Sequence, residues 1–268
     1  MVPTQDLENS EDILNEALAF LGGEPVVDND VVNYGPLTLR IAAKEGKANT
    51  LLADHLFSPA LFLAERIERG LFLVGGLTVI ELGAGSGLPS LLTATRSDHP
   101  ALVVVTDYPD PNILGNLANN VEQNRPHFQH GCRVKCAGYD WGTNADALLN
   151  LLPQKIPGPL GYDIMILSDL LHFHGSHDVL IDSIRLLSMK SKNSRLHVSA
   201  GNYTHSDVCD NFLAKGRNAG LVFEEIHAGT EETRWLGEMK VSSLDNEALS
   251  LRKANCRYWV GRWELEMP

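Results

Sequence analysis

The stretch TVIELGAGSGLPSLL, Thr78 to Leu92, joins a β-rich run to a glycine-rich turn and an apolar segment of helix length. Gly83, Gly85 and Gly87 follow the run directly. Glycines at this point let the backbone turn tightly and approach a ligand, with the amides of the following helix facing it. The stretch therefore predicts a strand, a binding loop and a helix in immediate succession.

The spacing of the glycines is G-x-G-x-G, which differs from the dinucleotide fingerprint because Leu88 takes the place of a third glycine. Glu81 lies two residues before the first glycine. A carboxylate there would repel a pyrophosphate but would attract an ammonium group or a sulfonium-bearing amino acid. Phosphate is therefore the less favoured ligand of this loop.

Six further β-rich runs follow, namely LVVVTD, CRVKCAG, YDIMILSD, RLHVSAG, LVFEEIHA and CRYWVGRWEL. Segments of helix length separate the first five runs of the series that begins with TVIEL. Strands that alternate with helices predict an α/β fold, in which a parallel sheet has helices on both faces. No segment of helix length is evident before CRYWVGRWEL, so we expect the last strand to run antiparallel.

The first seventy residues have a different pattern, which predicts an N-terminal α/β extension (1–70) packed on a core of residues 71–268. Ser10 to Gly23 has the caps and apolar spacing of a short amphipathic helix. The alternating residues of PLTLRIAA (36–43) predict a strand, and SPALFLAERIERG (58–70) predicts a helix with a serine cap and an N1 proline.

Acidic residues follow four successive predicted strands, at Glu81, Asp107, Asp140 and Asp169. Ligands of open α/β sheets bind at this edge. A carboxylate at Asp107, 24 residues after Gly83, can accept both hydroxyls of a ribose. Asp140 can accept from an adenine amino group, beside the ring of Trp141. The series therefore predicts a nucleoside site.

The motifs ELGAGSGLPS, VTDYPDP, YDWG and ILSD resemble those of the seven-stranded S-adenosylmethionine-dependent methyltransferases. More narrowly, they resemble the family-16 lysine methyltransferase-like group and its fungal branch, labelled nicotinamide N-methyltransferase-like or elongation-factor methyltransferase. VTDYPDPNILGNLANNV is the most specific stretch, and the resemblance covers roughly residues 51–227.

The resemblance implies a Rossmann-like sheet of strand order 3-2-1-4-5-7-6 and S-adenosylmethionine as the cofactor. It places Glu81 and the three glycines around the methionine moiety, Asp107 on the ribose, and Asp140 with Trp141 near the adenine. Tyr108 and Ser168 complete the expected cofactor-binding residues.

The methyl acceptor is expected beside the fourth strand of this sheet. The family's motif Asp-x-x-Tyr or Asp-x-x-Phe falls on Asp169 and His172, with Phe173 one place late. Asp169, His172 and Tyr203 are the candidates for orienting an acceptor amine and taking up its proton. Phe173 and Trp141 can offer ring faces to a cationic acceptor.

The run HFHGSH contains His172, His174 and His177 in the spacing H-x-H-x-x-H of metallo-β-lactamase-like zinc hydrolases. Those hydrolases have aspartate where Ser176 stands, and they need no nucleoside site. We therefore expect no metal at this run. Two interpretations stay open. In the first, the histidines only cap or cover the loop before the helix HDVLIDSIRLL. In the second, one of His172 and His174 contacts the acceptor.

The chain carries 22 basic and 34 acidic side chains, a formal net charge of −12, which disfavours nucleic acid and anionic membrane as partners. The four cysteines form no CxxC pair, and no signal peptide is evident. We expect a cytoplasmic monomer.

The function that these observations favour is methylation of a protein lysine or N-terminal amine, with a translation elongation factor as one acceptor that the resemblance implies. A small-molecule N-, O- or S-methyltransferase is the alternative. A non-catalytic cofactor-binding module is the remote one.

Overall fold

The computed structural model describes residues 31–43, 46–53, 55–153, 160–227, 233–242 and 244–264. The described strands are β1 (Val31–Tyr34), β2 (Leu37–Arg40), β3 (Thr78–Leu82), β4 (Leu102–Asp107), β5 (Arg133–Gly138), β6 (Ile164–Ser168), β7 (Arg195–Gly201), β8 (Leu221–Glu225) and β9 (Cys256–Trp263). The described α-helices are α1 (Gly46–Thr50), α2 (Ser58–Glu68), α3 (Leu88–Thr95), α4 (Pro111–Asn124), α5 (Asp146–Leu149), α6 (His177–Leu187), α7 (Ser206–Asn218) and α8 (Asn246–Ala254). The helix predicted over Ser10 to Gly23 lies outside the described residues.

Seven of the strands form one sheet in the order β5-β4-β3-β6-β7-β9-β8. The first five in this order are parallel, and β9 is antiparallel to both β7 and β8. Counted from β3 as the first strand, the order is 3-2-1-4-5-7-6 with an antiparallel last strand. The fold predicted from the sequence is therefore confirmed.

Both faces of the sheet are covered, which explains why its central strands are uninterrupted apolar runs. On β4, Val103 and Val105 pack into a core with α2, α3 and α4. Leu102 and Val104 face the opposite way, into a core with α5, α6 and α7. The period of two along a strand thus divides the interior into two apolar layers.

Two helices of the core, α7 and α8, were not predicted. Because α8 lies directly before β9, the reason given for the antiparallel last strand was wrong, although the direction is right. The buried side chains of α8 are Ala248, Leu249, Arg252 and Lys253, so its apolar periodicity is weak. Its cap is Asp245, whose carboxylate accepts from the Ala248 amide at 2.8 Å.

The β1–β2 hairpin docks on α4 through asparagine side chains, which stand in for a neighbouring strand. The amide of Asn120 accepts from the Arg40 N–H at 2.8 Å and donates to the Arg40 carbonyl at 2.8 Å. Asn124 forms the same pair with the backbone of Thr38 at 2.9 and 2.7 Å. Asn120 also donates to the carbonyl of Ser86 at 3.0 Å, which ties the hairpin to the glycine loop.

Within the predicted N-terminal extension, β2 lies in the stretch predicted as a strand, whereas β1 and α1 were not anticipated. Helix α2 begins at Ser58, but the capping position is Phe57 and has no side-chain cap, so the serine-cap prediction was wrong. The division of the chain at residue 70 stays a prediction. Within the described ranges, no helix is long and apolar enough to cross a membrane.

Candidate active site

A cavity of about 260 Å³ opens at the carboxyl edge of the parallel strands. Ten of the predicted site residues line it: Glu81, Gly83, Gly85, Asp107, Tyr108, Asp140, Trp141, Ser168, Asp169 and His172. Gly87 and Tyr203 lie outside the lining. Gly87 instead occupies the capping position of α3, with a left-handed φ of 82°.

The glycine loop follows β3 and packs closely against Leu170 and Trp141 at the cavity. At Gly83, with φ of 58°, a Cβ atom would lie 2.7 Å from Leu170 Cδ2 and 3.2 Å from the Trp141 ring, so a side chain would disturb the packing. At Gly85, with φ of 53°, a Cβ atom would meet nothing within 4 Å. The backbone at Gly85 therefore leaves open space beside the cavity, where a ligand can come close to the main chain.

Asp107 ends β4 and holds the glycine loop. Its Oδ2 accepts from the Gly85 N–H at 2.7 Å, and its Oδ1 accepts from the Tyr108 N–H at 2.7 Å. Burial raises the pKa of Asp107, and the two hydrogen bonds oppose the shift. Each carboxylate oxygen has a second lone pair, so the group can still accept two ligand hydroxyls.

Glu81 lies on β3 at the floor of the cavity and is fully buried. One oxygen, Oε2, accepts from the Ser90 N–H at 3.2 Å. The other, Oε1, has no hydrogen-bond partner in the described residues. Burial raises the pKa of Glu81 to about 8, assisted by the nearby charge of Asp107 and opposed by the hydrogen bond from Ser90. The cavity floor therefore presents a carboxyl oxygen that a cationic group can satisfy.

Asp169 follows β6 in a left-handed conformation with φ of 60°. Its Oδ1 accepts from the Gly201 N–H at 3.2 Å, and its Oδ2 accepts from the Tyr203 hydroxyl. Burial raises the pKa of Asp169 to about 6, against the effect of both hydrogen bonds. Positive φ at a non-glycine residue persists only where its surroundings hold it, and it is common at functional sites.

His172 lies on the cavity wall and is 7% exposed. Neither ring nitrogen makes a hydrogen bond of standard geometry among the described residues, although the Asp169 backbone is close enough to affect the ring. Burial lowers the pKa of His172 to about 4, although the backbone of Asp169 opposes the shift. The imidazole is therefore neutral near pH 7. Its ring centroid lies 4.0 Å from that of Phe173, which in turn lies 5.8 Å from that of Trp141.

The other two histidines of the run have different surroundings. His177 is buried, with Nε2 bonded to the Leu171 carbonyl at 2.8 Å and Nδ1 to the Asn211 amide at 2.9 Å, so both ring nitrogens are used. His174 is exposed. Across the parts of the chain that the structure describes, no three His, Cys, Asp or Glu side chains are grouped to hold a metal ion.

One side of the cavity is formed by residues that were not among the predicted site residues. It consists of residues 51–53 and 55–57, here called the N-terminal wall, which precede α2. Phe57 and His55 stack there with ring centroids 5.4 Å apart. The available signal was the pair of apolar doublets Leu51–Leu52 and Leu56–Phe57, which lack a helical or strand period.

Comparison with known proteins identifies the family. A sequence profile described as lysine methyltransferase matches residues 40–213. The chain belongs to the lysine methyltransferase family. It is therefore a methyltransferase, and the family generally implies S-adenosylmethionine as the methyl donor.

Two curated fungal relatives carry the name protein N-terminal and lysine N-methyltransferase EFM7. The Gibberella zeae protein is 33% identical over 198 residues, which are 71% of this chain and 72% of that protein. The Schizosaccharomyces pombe protein is 34% identical over 170 residues, 63% of this chain and 62% of that protein. The match to this chain thus spans about two thirds of each relative.

A solved structure supports the fold alone. A provisionally named transferase from Pyrococcus horikoshii aligns with a TM-score of 0.50 at 15% identity, over 96% of this chain and 86% of that one. At this identity the likeness carries no information on the acceptor of the methyltransferase.

Proposed function

We propose that this methyltransferase transfers a methyl group from S-adenosylmethionine to an amine of a protein, either a lysine side chain or an N-terminal α-amino group. The observation that carries the proposal is that one cavity joins the acidic strand ends to a wall of neutral and aromatic side chains. The names of the fungal relatives support a protein acceptor. The net charge of −12 favours a basic one.

The residues on the floor of the cavity fit the cofactor. The unpaired Oε1 of Glu81 can accept from its ammonium group, and the free lone pairs of Asp107 can accept from its ribose hydroxyls. The open space at Gly85 lets the amino acid portion reach the main chain. Tyr108, Asp140, Trp141 and Ser168 complete the proposed set, with Trp141 as the apolar wall for the base.

The bound cofactor supplies an electrophilic methyl group on a sulfonium centre. The task of the chain is to present a neutral amine in line with that group and to exclude water. We assign the orientation of the amine to the ionised carboxylate of Asp169. The imidazole of His172 lies on the cavity wall and is neutral near pH 7, so its one unprotonated nitrogen can accept a hydrogen bond from the amine.

A small-molecule acceptor is the second candidate, and one observation favours it. The N-terminal wall lines the cavity together with the strand ends, and a cavity walled in this way suits a compact acceptor. A monomeric state, a cytoplasmic location and the absence of nucleic acid, membrane and metal partners stay predictions.

The experiment that tests the proposal uses S-adenosylmethionine with a labelled methyl group and a fungal cell extract. We expect label in a discrete protein band, at a lysine or an N-terminal α-amine when the band is analysed by mass spectrometry. The Asp107→Ala variant should label the band much more weakly at the same cofactor concentration. Label confined to small molecules would support the second candidate. Absence of label with cofactor binding intact would support a non-catalytic binding module.

Cofactor binding is expected to release about one proton per chain at pH 7. With a pKa near 8, Glu81 is mainly protonated before binding, and an ammonium group beside it favours the charged form. Affinity should therefore rise as the pH increases towards 8. Calorimetry in buffers of different ionisation enthalpy measures the release. Glu81→Gln should abolish it, and a release that persists in this variant would assign the proton to another group.

The substitutions His172→Ala and Phe173→Ala are expected to separate two roles on the acceptor wall. His172 lines the cavity and its imidazole is neutral near pH 7, so its loss should lower turnover at saturating cofactor by about tenfold or more. Phe173 contributes a ring face, so its loss should act mainly on the KM for the acceptor. Initial rates over a range of acceptor concentrations distinguish the two. If neither variant changes these rates, this loop is not the acceptor wall.

A further inference from the structure

Tyr203 contacts Asp169 without reaching the cavity. Its hydroxyl donates to Asp169 Oδ2, while the ring lies outside the residues that line the cavity. The ring folds back over the end of β7, where a Cβ atom on Gly201 would lie 2.1 Å from Tyr203 Cε1. Only glycine at position 201 leaves room for this arrangement. The same glycine donates its N–H to Asp169 Oδ1 at 3.2 Å.

Both oxygens of the Asp169 carboxylate are therefore held by one short segment, residues 201–203. The Asp169 N–H is held as well, because it donates to the Ser199 carbonyl at 2.8 Å. These contacts fix a residue whose backbone φ of 60° is unfavourable for a side chain with a Cβ atom. The orientation of the carboxylate thus depends on the end of β7 rather than on β6 alone.

The Tyr203 ring also packs against the N-terminal wall. Its centroid lies 6.2 Å from that of Phe57, with the two planes at 48°. Phe57 lines the cavity and stacks on His55, and its backbone is set by the start of α2. A continuous path of contacts therefore runs from the N-terminal wall through Tyr203 to Asp169.

We infer that Tyr203 is a positioning residue for methyl transfer, which acts through Asp169 and links the orientation of that carboxylate to the seating of Phe57 in the N-terminal wall. The inference rests on the proposed function, in which Asp169 orients the acceptor amine. Phe57 then serves as a specificity residue, because it lines the cavity and its ring also packs against that of Tyr203.

Several titratable groups share the cavity lining or the adjoining elements with Asp169. His172 follows it in the loop, and burial keeps the pKa of that imidazole near 4. Glu81 on β3 has a pKa near 8, and burial raises the pKa of Cys209 on α7 to about 11. Tyr203 follows β7, and His55 lies on the N-terminal wall. Because the hydrogen bond from Tyr203 lowers the pKa of Asp169, its removal should move the titration of Asp169 to higher pH.

The test uses Tyr203→Phe, which keeps the ring and removes the hydroxyl. The matched control is Tyr162→Phe, because the buried Tyr162 hydroxyl donates to the Leu148 carbonyl at 2.7 Å away from the cavity. Carbon-13 NMR of the protein labelled at aspartate carboxyls measures the chemical shift of the Asp169 carboxyl as a function of pH. Its signal is assigned as the one that is missing from the Asp169→Asn variant. We expect the Asp169 titration to move to higher pH in Tyr203→Phe and to stay in place in Tyr162→Phe. This readout needs no acceptor, so it stands even if the proposed function fails.

Rates with labelled cofactor and the fungal extract as acceptor supply the second readout. Turnover in Tyr203→Phe should fall about tenfold to a hundredfold, since small displacements of a reacting geometry have effects of this size. The acid limb of the rate profile should move to higher pH, while cofactor affinity by calorimetry stays within about twofold. An unchanged Asp169 titration, or a loss of cofactor affinity equal to the loss of turnover, would overturn the positioning role.

The link to Phe57 is tested by a double-mutant cycle on turnover with Phe57→Ala and Tyr203→Phe. If the two side chains act as one unit, the combined loss should be clearly smaller than the product of the single losses. A combined loss equal to that product would remove Phe57 from the inference.

Discussion

Replacing Asp107 with alanine is expected to weaken S-adenosylmethionine binding by about 10- to 100-fold. The loss of hydrogen bonds to a buried ligand costs about 1–3 kcal/mol, and each 1.4 kcal/mol is about tenfold in affinity. Asp107 also holds the Gly85 and Tyr108 amides, so the variant loosens the loop that approaches the ligand. Isothermal calorimetry measures the change directly.

A matched control for this variant is Asp110→Ala. The carboxylate of Asp110 also accepts from backbone amides, those of Asn112 and Ile113 at the start of α4, but it does not line the cavity. Its loss should lower the free energy of unfolding by about 1 kcal/mol and leave cofactor affinity unchanged. Equal loss of affinity in both variants would show that the effect of Asp107 is structural and not a contact with the ribose.

The sheet could be predicted because each of its central strands has a sequence pattern that is recognisable within the strand itself. Fully buried parallel strands have uninterrupted apolar sequences, and their ends carry the residues that meet a ligand. The sequences of β3, β4 and β6 therefore predicted the strands themselves. They also predicted that Glu81, Asp107 and Asp169 lie at the ligand-binding edge. The glycine loop added a backbone geometry that few residue types allow.

The parts that sequence reasoning missed depend on contacts between distant segments. Leu51 and Ala53 of the N-terminal wall pack with Ile113 of α4, which is distant in sequence, and the wall has no periodic pattern of its own. The buried Lys253 on α8 reads as a surface residue in the sequence, yet its Nζ lies 2.7 Å from Glu65 Oε1 on α2. A partner distant in sequence gives no local signal.

The role of Tyr203 shows the same division between local and distant information. Its place after the fifth strand of the core indicated the correct edge of the sheet. Its connection to Asp169, and not to the cavity itself, follows from the missing side chain of Gly201, which lets the ring fold back. Sequence position can therefore give the neighbourhood of such a residue, while its orientation is a tertiary property.

Asp169→Asn is expected to lower turnover about 100-fold or more while cofactor affinity stays within about threefold. The substitution keeps the shape of the side chain but removes the charge that we assign to orienting the acceptor amine, and groups that assist proton transfer contribute about 10² to 10⁴ in rate. With a pKa near 6, Asp169 should also give kcat/KM an acid limb near that pH, because activity is lost as the carboxylate takes up a proton. This limb should be absent from the variant.

The matched control for this prediction lies at the other end of the same strand. Asp163 precedes β6 and its Oδ2 accepts from the amide and hydroxyl of Thr78 at 2.9 and 2.7 Å, far from the cavity lining. Asp163→Asn removes a charge from a hydrogen-bonded aspartate in the same way, so it should affect the free energy of unfolding and not the acid limb. If Asp169→Asn keeps the wild-type turnover and its pH profile, the acceptor is oriented by another group. His172 would then be the remaining candidate on that wall, because it lines the same cavity and its imidazole is neutral near pH 7.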